Sequence, residues 1–460
     1  MVEDNRERKK FSRRDLIKGG LWAGAFLALR KCLPGGDIKE PSSIAQGATP
    51  TPISQSSLLA PDATLTPEAY LPYVSKQGPT PTPTATPTPT PPNTPIPGSA
   101  RVVHVHDPDA TNWSGSGWYG DAVNQSVVND MTLAGLQGLT GKSSWADIWN
   151  DLFTQVQPSG YQVGQRVAIK VNFNNSGYLN GGCQGTGNYI DALPQPVKAL
   201  VAGLVGAGVG QDDIWIYDAT VEGRIIPDRF CNPIRSSYPN VRFYGKGECD
   251  EVNTVSHGGY SSLTVQFSDP QGNLSDRLLA DVLYQATYLI NMPILKVHGI
   301  SPTSLGFKNH FGSINNIIRG GNDNLHFYIN PSESLYSSTY SPMVDIFQNS
   351  NIKDKTILTV GDGLYGAFGA TLVPPTSWNT FGDAPNSLLF SQDPVAIDCV
   401  MTDLLAAEGR VGNNAYDCLF CAEEADLGVC EGTRSNPGGD PWQTPYGSGY
   451  AEIQYTRIEL

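Results

Sequence analysis

Arg166-Val167-Ala168-Ile169-Lys170-Val171-Asn172-Phe173 is an apolar, β-branched run that ends in polar residues, and it reads as a buried strand. Pro194 to Leu204 reads as a helix. Pro196 suits its first turn, and Val197, Leu200, Val201 and Leu204 recur at helical spacing. Gly206, Gly208 and Gly210 stop it. Asp213-Ile214-Trp215-Ile216-Tyr217-Asp218 is the next strand, again closed by a carboxylate. Strand, helix and strand in that order predict a parallel pair joined by a right-handed crossover.

Working outward, Val241 to Tyr244, Thr287 to Met292, Thr356 to Val360 and Ser387 to Phe390 read as further strands. Asp393-Pro394 opens a helix that runs through Ala407. Asp caps the free amides, Pro fits the first helical position, and Val395, Ile397, Val400, Leu404 and Leu405 give a buried face. Asp362-Gly363 reads as a turn after its strand. The pattern predicts an α/β fold: a Rossmann-like, mostly parallel sheet with helices on both faces. It occupies residues 100–460, with a cysteine-containing extension from about 410.

The residues before it read as address and spacer. Ser12-Arg13-Arg14-Asp15-Leu16-Ile17-Lys18 precedes the apolar run Leu21 to Leu29, so residues 1–48 match a twin-arginine signal region, with cleavage near Ala45-Gln46-Gly47-Ala48. The expected partner is the twin-arginine export machinery, and the expected location is periplasmic, cell-surface or extracellular. That apolar run is too short to span a bilayer comfortably, so no integral membrane span is expected in the mature protein. Residues 49–99 form a disordered linker built on the Thr80 to Pro92 threonine–proline repeat, which favours extended polyproline II. The formal net charge of −14 argues against nucleic acid as a partner.

Eight cysteines are present, and removal of Cys32 with the signal leaves an odd number. Disulfides are expected for an oxidising compartment, joining Cys418, Cys421 and Cys430 to Cys183, Cys231 or Cys249. The closely spaced cysteine run of a cubane cluster is absent, so no iron–sulfur cluster is expected.

Chemistry concentrates in Lys296-Val297-His298-Gly299-Ile300 and in Leu305-Gly306-Phe307-Lys308-Asn309-His310-Phe311-Gly312, just after a buried strand. Ligands sit at the carboxyl ends of strands in α/β sheets. Lys308, His298 and His310 are the expected catalytic residues. Lys170, Lys296, Asn309, Asp218 and Asp362 are the expected cofactor- or substrate-holding residues. His326 is the candidate metal ligand. Lys170 and Lys296 each end a strand, where they bind an anion or pair with Asp218, Asp362 or Asp398. Asp398 is read as a buried partner for a lysine. His104 and His106 alternate on a strand near the domain start, where structural roles are expected.

The ordered set Ile169-Lys170-Val171-Asn172, Tyr217-Asp218, Lys296-x-His298-Gly299, Leu305-Gly306-Phe307-Lys308-Asn309, Gly312, Asp362-Gly363 and Ser391-x-Asp393-Pro394-Val395-Ala396-Ile397-Asp398 resembles the domain of unknown function 362 family over Arg166 to about Glu408. The resemblance implies an α/β fold and no settled chemistry. Many members are linked to ferredoxin modules, and no such cysteine run occurs here. Gly306-x-Lys308 followed by His326 is more faintly similar to the lactate racemase family. That resemblance implies a lysine carrying a nickel-organic cofactor and a metal-binding histidine. The cofactor is otherwise unknown.

Two functions fit this reading. One is an exported enzyme that binds a small anionic substrate, or a metal or organic cofactor, in a Lys/His-lined cleft. The other is a non-catalytic, stalked surface-binding module. Convergence of the lysine and histidines on one cleft separates the first from the second.

Overall fold

The computed structural model describes residues 100–175, 182–185, 187–219, 224–369 and 373–460. The signal region and the threonine–proline linker lie outside them. The described chain is built on a 10-stranded sheet. Its strands are β1 (Ala100–His106), β2 (Val167–Lys170), β3 (Ile214–Tyr217), β4 (Arg242–Gly245), β5 (Val252–Thr254), β6 (Tyr288–Asn291), β7 (Ile294–Lys296), β8 (Thr356–Ala367), β9 (Ser387–Ser391) and β10 (Ile453–Glu459). The order across the sheet is β10-β1-β9-β8-β6-β2-β3-β4-β5, with β7 also paired to β8. β9 runs against both its neighbours, and every other pairing is parallel.

Alternation along the strands builds two cores. Ile169, Ile214, Ile216 and Ile290 point into one, with α1 (Gln125–Thr140), α2 (Trp145–Thr154) and α3 (Pro194–Gly206) packed over it. Ala168, Trp215, Tyr217 and Leu289 point into the other. That face is covered by α4, the single turn Gly306–Asn309, by α5 (Pro394–Ala407) and by α6 (Asp417–Glu424). Helices on both faces of a mostly parallel sheet are the Rossmann-like arrangement the sequence predicts. Asp393 caps α5 by accepting from the amides of Val395 and Ala396 at 2.9 and 2.8 Å.

Three local readings are corrected. Asp362-Gly363 is not a turn: β8 continues to Ala367, and Asp362 lies opposite Leu388 of β9. The glycines that suggested a turn make room instead. A Cβ on Gly361 would stand 2.7 Å from Met401 Sδ, and one on Gly366 would enter the Trp378 indole. Asp398 is not a lysine's partner but accepts two backbone amides, described below. The cysteine expectation is met only in part. A disulfide joins Cys183 to Cys249, whereas Cys231, Cys399, Cys418, Cys421 and Cys430 are free thiols. Cys249 precedes β5 at one edge of the sheet, while Cys430 packs 3.6 Å from Cys399 of α5, on the side where β10 and β1 lie. The sheet itself separates the two groups.

The extension beyond 410 supplies an edge strand, β10, paired in parallel with β1 along its whole length. Glu431 ties it down by accepting from the amides of Ala451, Glu452 and Ile453. His104 is held between Tyr455 and Ser387 at 2.7 and 2.8 Å, and His106 meets Glu459 at 2.6 Å, so both serve this seam.

A candidate anion cleft at the strand ends

The carboxyl ends of β2, β3, β6 and β7 bring Lys170, Asp218, Asn291 and Lys296 to one end of the sheet. Lys170 is fully buried. Its Nζ donates to Val171 O at 2.6 Å and to Asn309 Oδ1 at 3.3 Å, and it pairs with Asp218 Oδ1 at 3.4 Å. Burial pulls its pKa down, and Asp218 opposes that pull. Asp218 also accepts from the Phe173 amide at 2.8 Å.

Amide side chains tie the floor to α4. Asn309 Oδ1 accepts from Lys170 and from Asn172 Nδ2, and Asn309 Nδ2 donates to Asn291 Oδ1 at 2.8 Å. Lys296 Nζ donates to Asn172 Oδ1 at 3.3 Å. Burial lowers the pKa of Lys296 and raises that of Asp191, and the charge of each opposes the other's shift. Asn309 is therefore a strut between α4 and the strand ends.

Glycine is required twice around Lys308. A Cβ on Gly306 would stand 2.8 Å from Asp398 Oδ1, and one on Gly312 would stand 2.5 Å from Lys170 Nζ and closer still to Asp218. Asp398 accepts from the amides of Gly306 and Phe307 at 2.8 and 3.0 Å, fixing the turn that carries Lys308. Burial outweighs those two bonds and raises Asp398 to about 7.

The cleft above this floor has a volume of about 90 Å³. Lys308, His298, His326, Asn309, Lys170 and Asp218 line it, together with Arg224, Asn174 and Ser304. Lys308 is 8 % exposed, and its Nζ makes no hydrogen bond among the described residues. Instead it lies 3.9 Å from the centre of the Phe311 ring. Burial holds its pKa well below the usual lysine value, with Arg224 and Lys296 adding to the effect. Arg224 donates to Asn174 O at 2.8 Å and to Asn174 Oδ1 at 3.1 Å.

His298 Nδ1 accepts from the amides of Ile300 and Ser301 at 3.1 and 3.3 Å. Neutral His298 therefore carries its proton on Nε2. Burial and the neighbouring Lys308 keep it neutral. His326 stacks on His298 at 6.2 Å, and burial takes its pKa down to about 3. Among the described residues, no group of three or more His, Cys, Asp or Glu side chains is placed to hold a metal ion.

The structure thus brings together Lys308, His298, His326, Lys170, Asp218 and Asn309, with Lys296 one hydrogen bond behind. Besides Lys296, two expected residues stand outside the lining. His310 is buried in the second face's core, with Nδ1 on Ser313 Oγ at 3.1 Å and its ring edge-on to Phe347. Asp362 is buried within β8 and accepts from the Leu364 amide at 3.2 Å. Arg224, Asn174, Ser304 and Asp191 escaped the sequence reading. Only the position of Arg224, in the segment following a strand-end carboxylate, hinted at it.

A mostly parallel α/β sheet with a lysine-, arginine- and histidine-lined cleft at its strand ends defines a Rossmann-like α/β protein. The model of the domain of unknown function (DUF362) matches residues 167–403, just over half of the chain, and the chain belongs to that family. The matched span contains every residue that lines the cleft. No curated protein matches the chain.

Proposed function

We propose that this chain is an exported enzyme that binds a small carboxylate- or phosphate-bearing molecule in the Lys308 cleft and moves a proton on it. One observation carries the reading: a lysine amine on the cleft wall without a hydrogen-bond partner among the described residues, beside a guanidinium and an imidazole N–H. The cationic side chains of Lys170 and Arg224 line the cleft and Lys296 stands behind it, against the carboxylates of Asp218 and Asp191. An excess of cationic side chains favours an anion there.

Arg224 and the Nε2–H of His298 hold the anionic group. Lys308, whose lone pair is kept available by burial, takes a proton from the adjacent carbon. Reference pockets for larger organic molecules run to roughly 300 Å³ or more, so this cleft suits a group of a few heavy atoms better than a nucleotide-sized nickel-organic cofactor. A metal ion at His326 is the weaker alternative, because the Arg224 guanidinium acts on that ring as a positive charge.

Thermal-shift measurements test the binding. Phosphate, sulfate and small carboxylates should raise the melting temperature of the unaltered chain and leave Lys308→Met unmoved. Equal shifts in both would sink the assignment. Export rests on the Ser12 to Lys18 pattern, with the Cys183–Cys249 disulfide compatible with it. Among the described residues, no helix is long and apolar enough to cross a membrane. Changing Arg13 and Arg14 together to Lys should retain the protein in the cytoplasm, and unchanged export would refute the twin-arginine route. The Thr80 to Pro92 repeat favours a second reading, a stalked receptor with the same cleft. It predicts binding without turnover.

A further inference from the structure

We infer that Lys308 condenses with the carbonyl carbon of a small 2-oxo carboxylate, such as pyruvate, held in the cleft. This rests on the anion-site reading above and adds the substrate class and the bond that forms.

The hydrogen-bond inventory argues for it. A lysine ammonium carries three N–H donors, and a buried donor without an acceptor is costly. Lys308 Nζ has no acceptor among the described residues and lines the cleft, so its donors and its lone pair are open to a ligand there. An iminium carries its positive charge with a single N–H, and the carboxylate of the bound oxo acid can accept it.

The surroundings suit that product. The face of Phe311 lies 3.9 Å from Nζ, where a ring stabilises an adjacent cation. The Arg224 guanidinium and His298 Nε2–H offer donors to the carboxylate. A cleft of about 90 Å³ admits a molecule of a few heavy atoms and little more. Arg224 and Lys296 disfavour a further charge on the free amine, which is one of the ways a lysine nucleophile is activated.

The step balances without a redox partner. The Nζ lone pair adds to C2 of the oxo acid, the π pair of C=O moves to oxygen, and an amine proton passes to that oxygen. The carbinolamine then takes one proton from solvent and loses water, leaving C=N⁺. That iminium is an electron sink: when the C3–H bond breaks its electron pair flows to the nitrogen and the proton passes to solvent.

The test is reductive trapping on the full chain with pyruvate and sodium cyanoborohydride, read by intact mass and peptide mapping. The expected result is a gain of one pyruvate, less one water, plus two hydrogens. It should fall on the peptide carrying Lys308 and be suppressed by excess sulfate. Labelling confined to exposed lysines such as Lys142 would overturn the inference. Mapping on the unaltered chain makes the outcome independent of whether Lys308→Arg, which should lose the label, folds. Sulfate binding measured calorimetrically on unreacted protein separates the two levels. If sulfate binds and Lys308 stays unlabelled, the condensation fails and the anion site stands. If neither occurs, both fail.

Discussion

Asp398 Oδ1 accepts the backbone N–H of Gly306 at 2.8 Å, so a carboxylate on α5 holds the start of the turn that carries Lys308. Its second oxygen takes the Phe307 amide at 3.0 Å. The helix that packs beneath the sheet thereby sets the position of the Lys308 amine in the cleft.

Asp398→Ala leaves two buried amides without partners, and each such group costs about 1–3 kcal/mol. Urea unfolding should show a loss within that range or above it, together with loss of sulfate binding. Unchanged stability would show that the cap is dispensable.

Gly312→Ala drives a methyl into the Lys170–Asp218 pair. Overpacking of this kind costs about 1–3 kcal/mol. The expected signature is a lower urea midpoint with an unchanged m-value, and weaker sulfate binding, because Lys170 forms part of the cleft floor.

Lys308→Met should stabilise the protein at neutral and acidic pH. The folded pKa of Lys308 lies below its unfolded value, so between the two the unfolded chain holds a proton that the native state lacks. Wild-type stability therefore rises with pH across that window, and the advantage of the variant should shrink as pH climbs toward 10.5. An advantage independent of pH would contradict a buried, depressed amine.

Asp362 gives the opposite slope. Burial raises it from 3.8 to about 7, so in that interval the native state holds a proton the unfolded chain has released. Its contribution to stability falls as pH rises through the window. Compared with Asp362→Asn, the wild type should lose on the order of a few kcal/mol between pH 4 and pH 7. Parallel stability curves for the two proteins would refute the shift.

Much of the sheet was legible because buried parallel strands are short apolar runs whose alternate residues feed two cores. Ile169 and Ala168, or Ile216 and Trp215, show this directly. Asp218 and His298 were legible as cleft residues because they follow the ends of β3 and β7, and Lys308 because its glycine-flanked turn comes soon after β7. His310 was misjudged for a geometric reason: successive positions in a helical turn rotate by about 100°, so residues two apart face nearly opposite sides. Asp362 was misjudged because Gly361, Gly363 and Gly366 mimic a turn while making room for neighbouring side chains. Arg224 and Asn174 sit in loops, whose course is set by tertiary contacts rather than by local pattern.

The most direct test is calorimetric titration of sulfate, which does not itself titrate near neutrality, into wild type and Lys308→Met in buffers of different ionisation enthalpy. An anion beside Lys308 raises the amine's pKa, so binding to wild type should take up a proton and weaken as pH rises, and the variant should lose both the uptake and most of the affinity. Equal affinity in the two proteins, with no proton exchanged, would contradict the account.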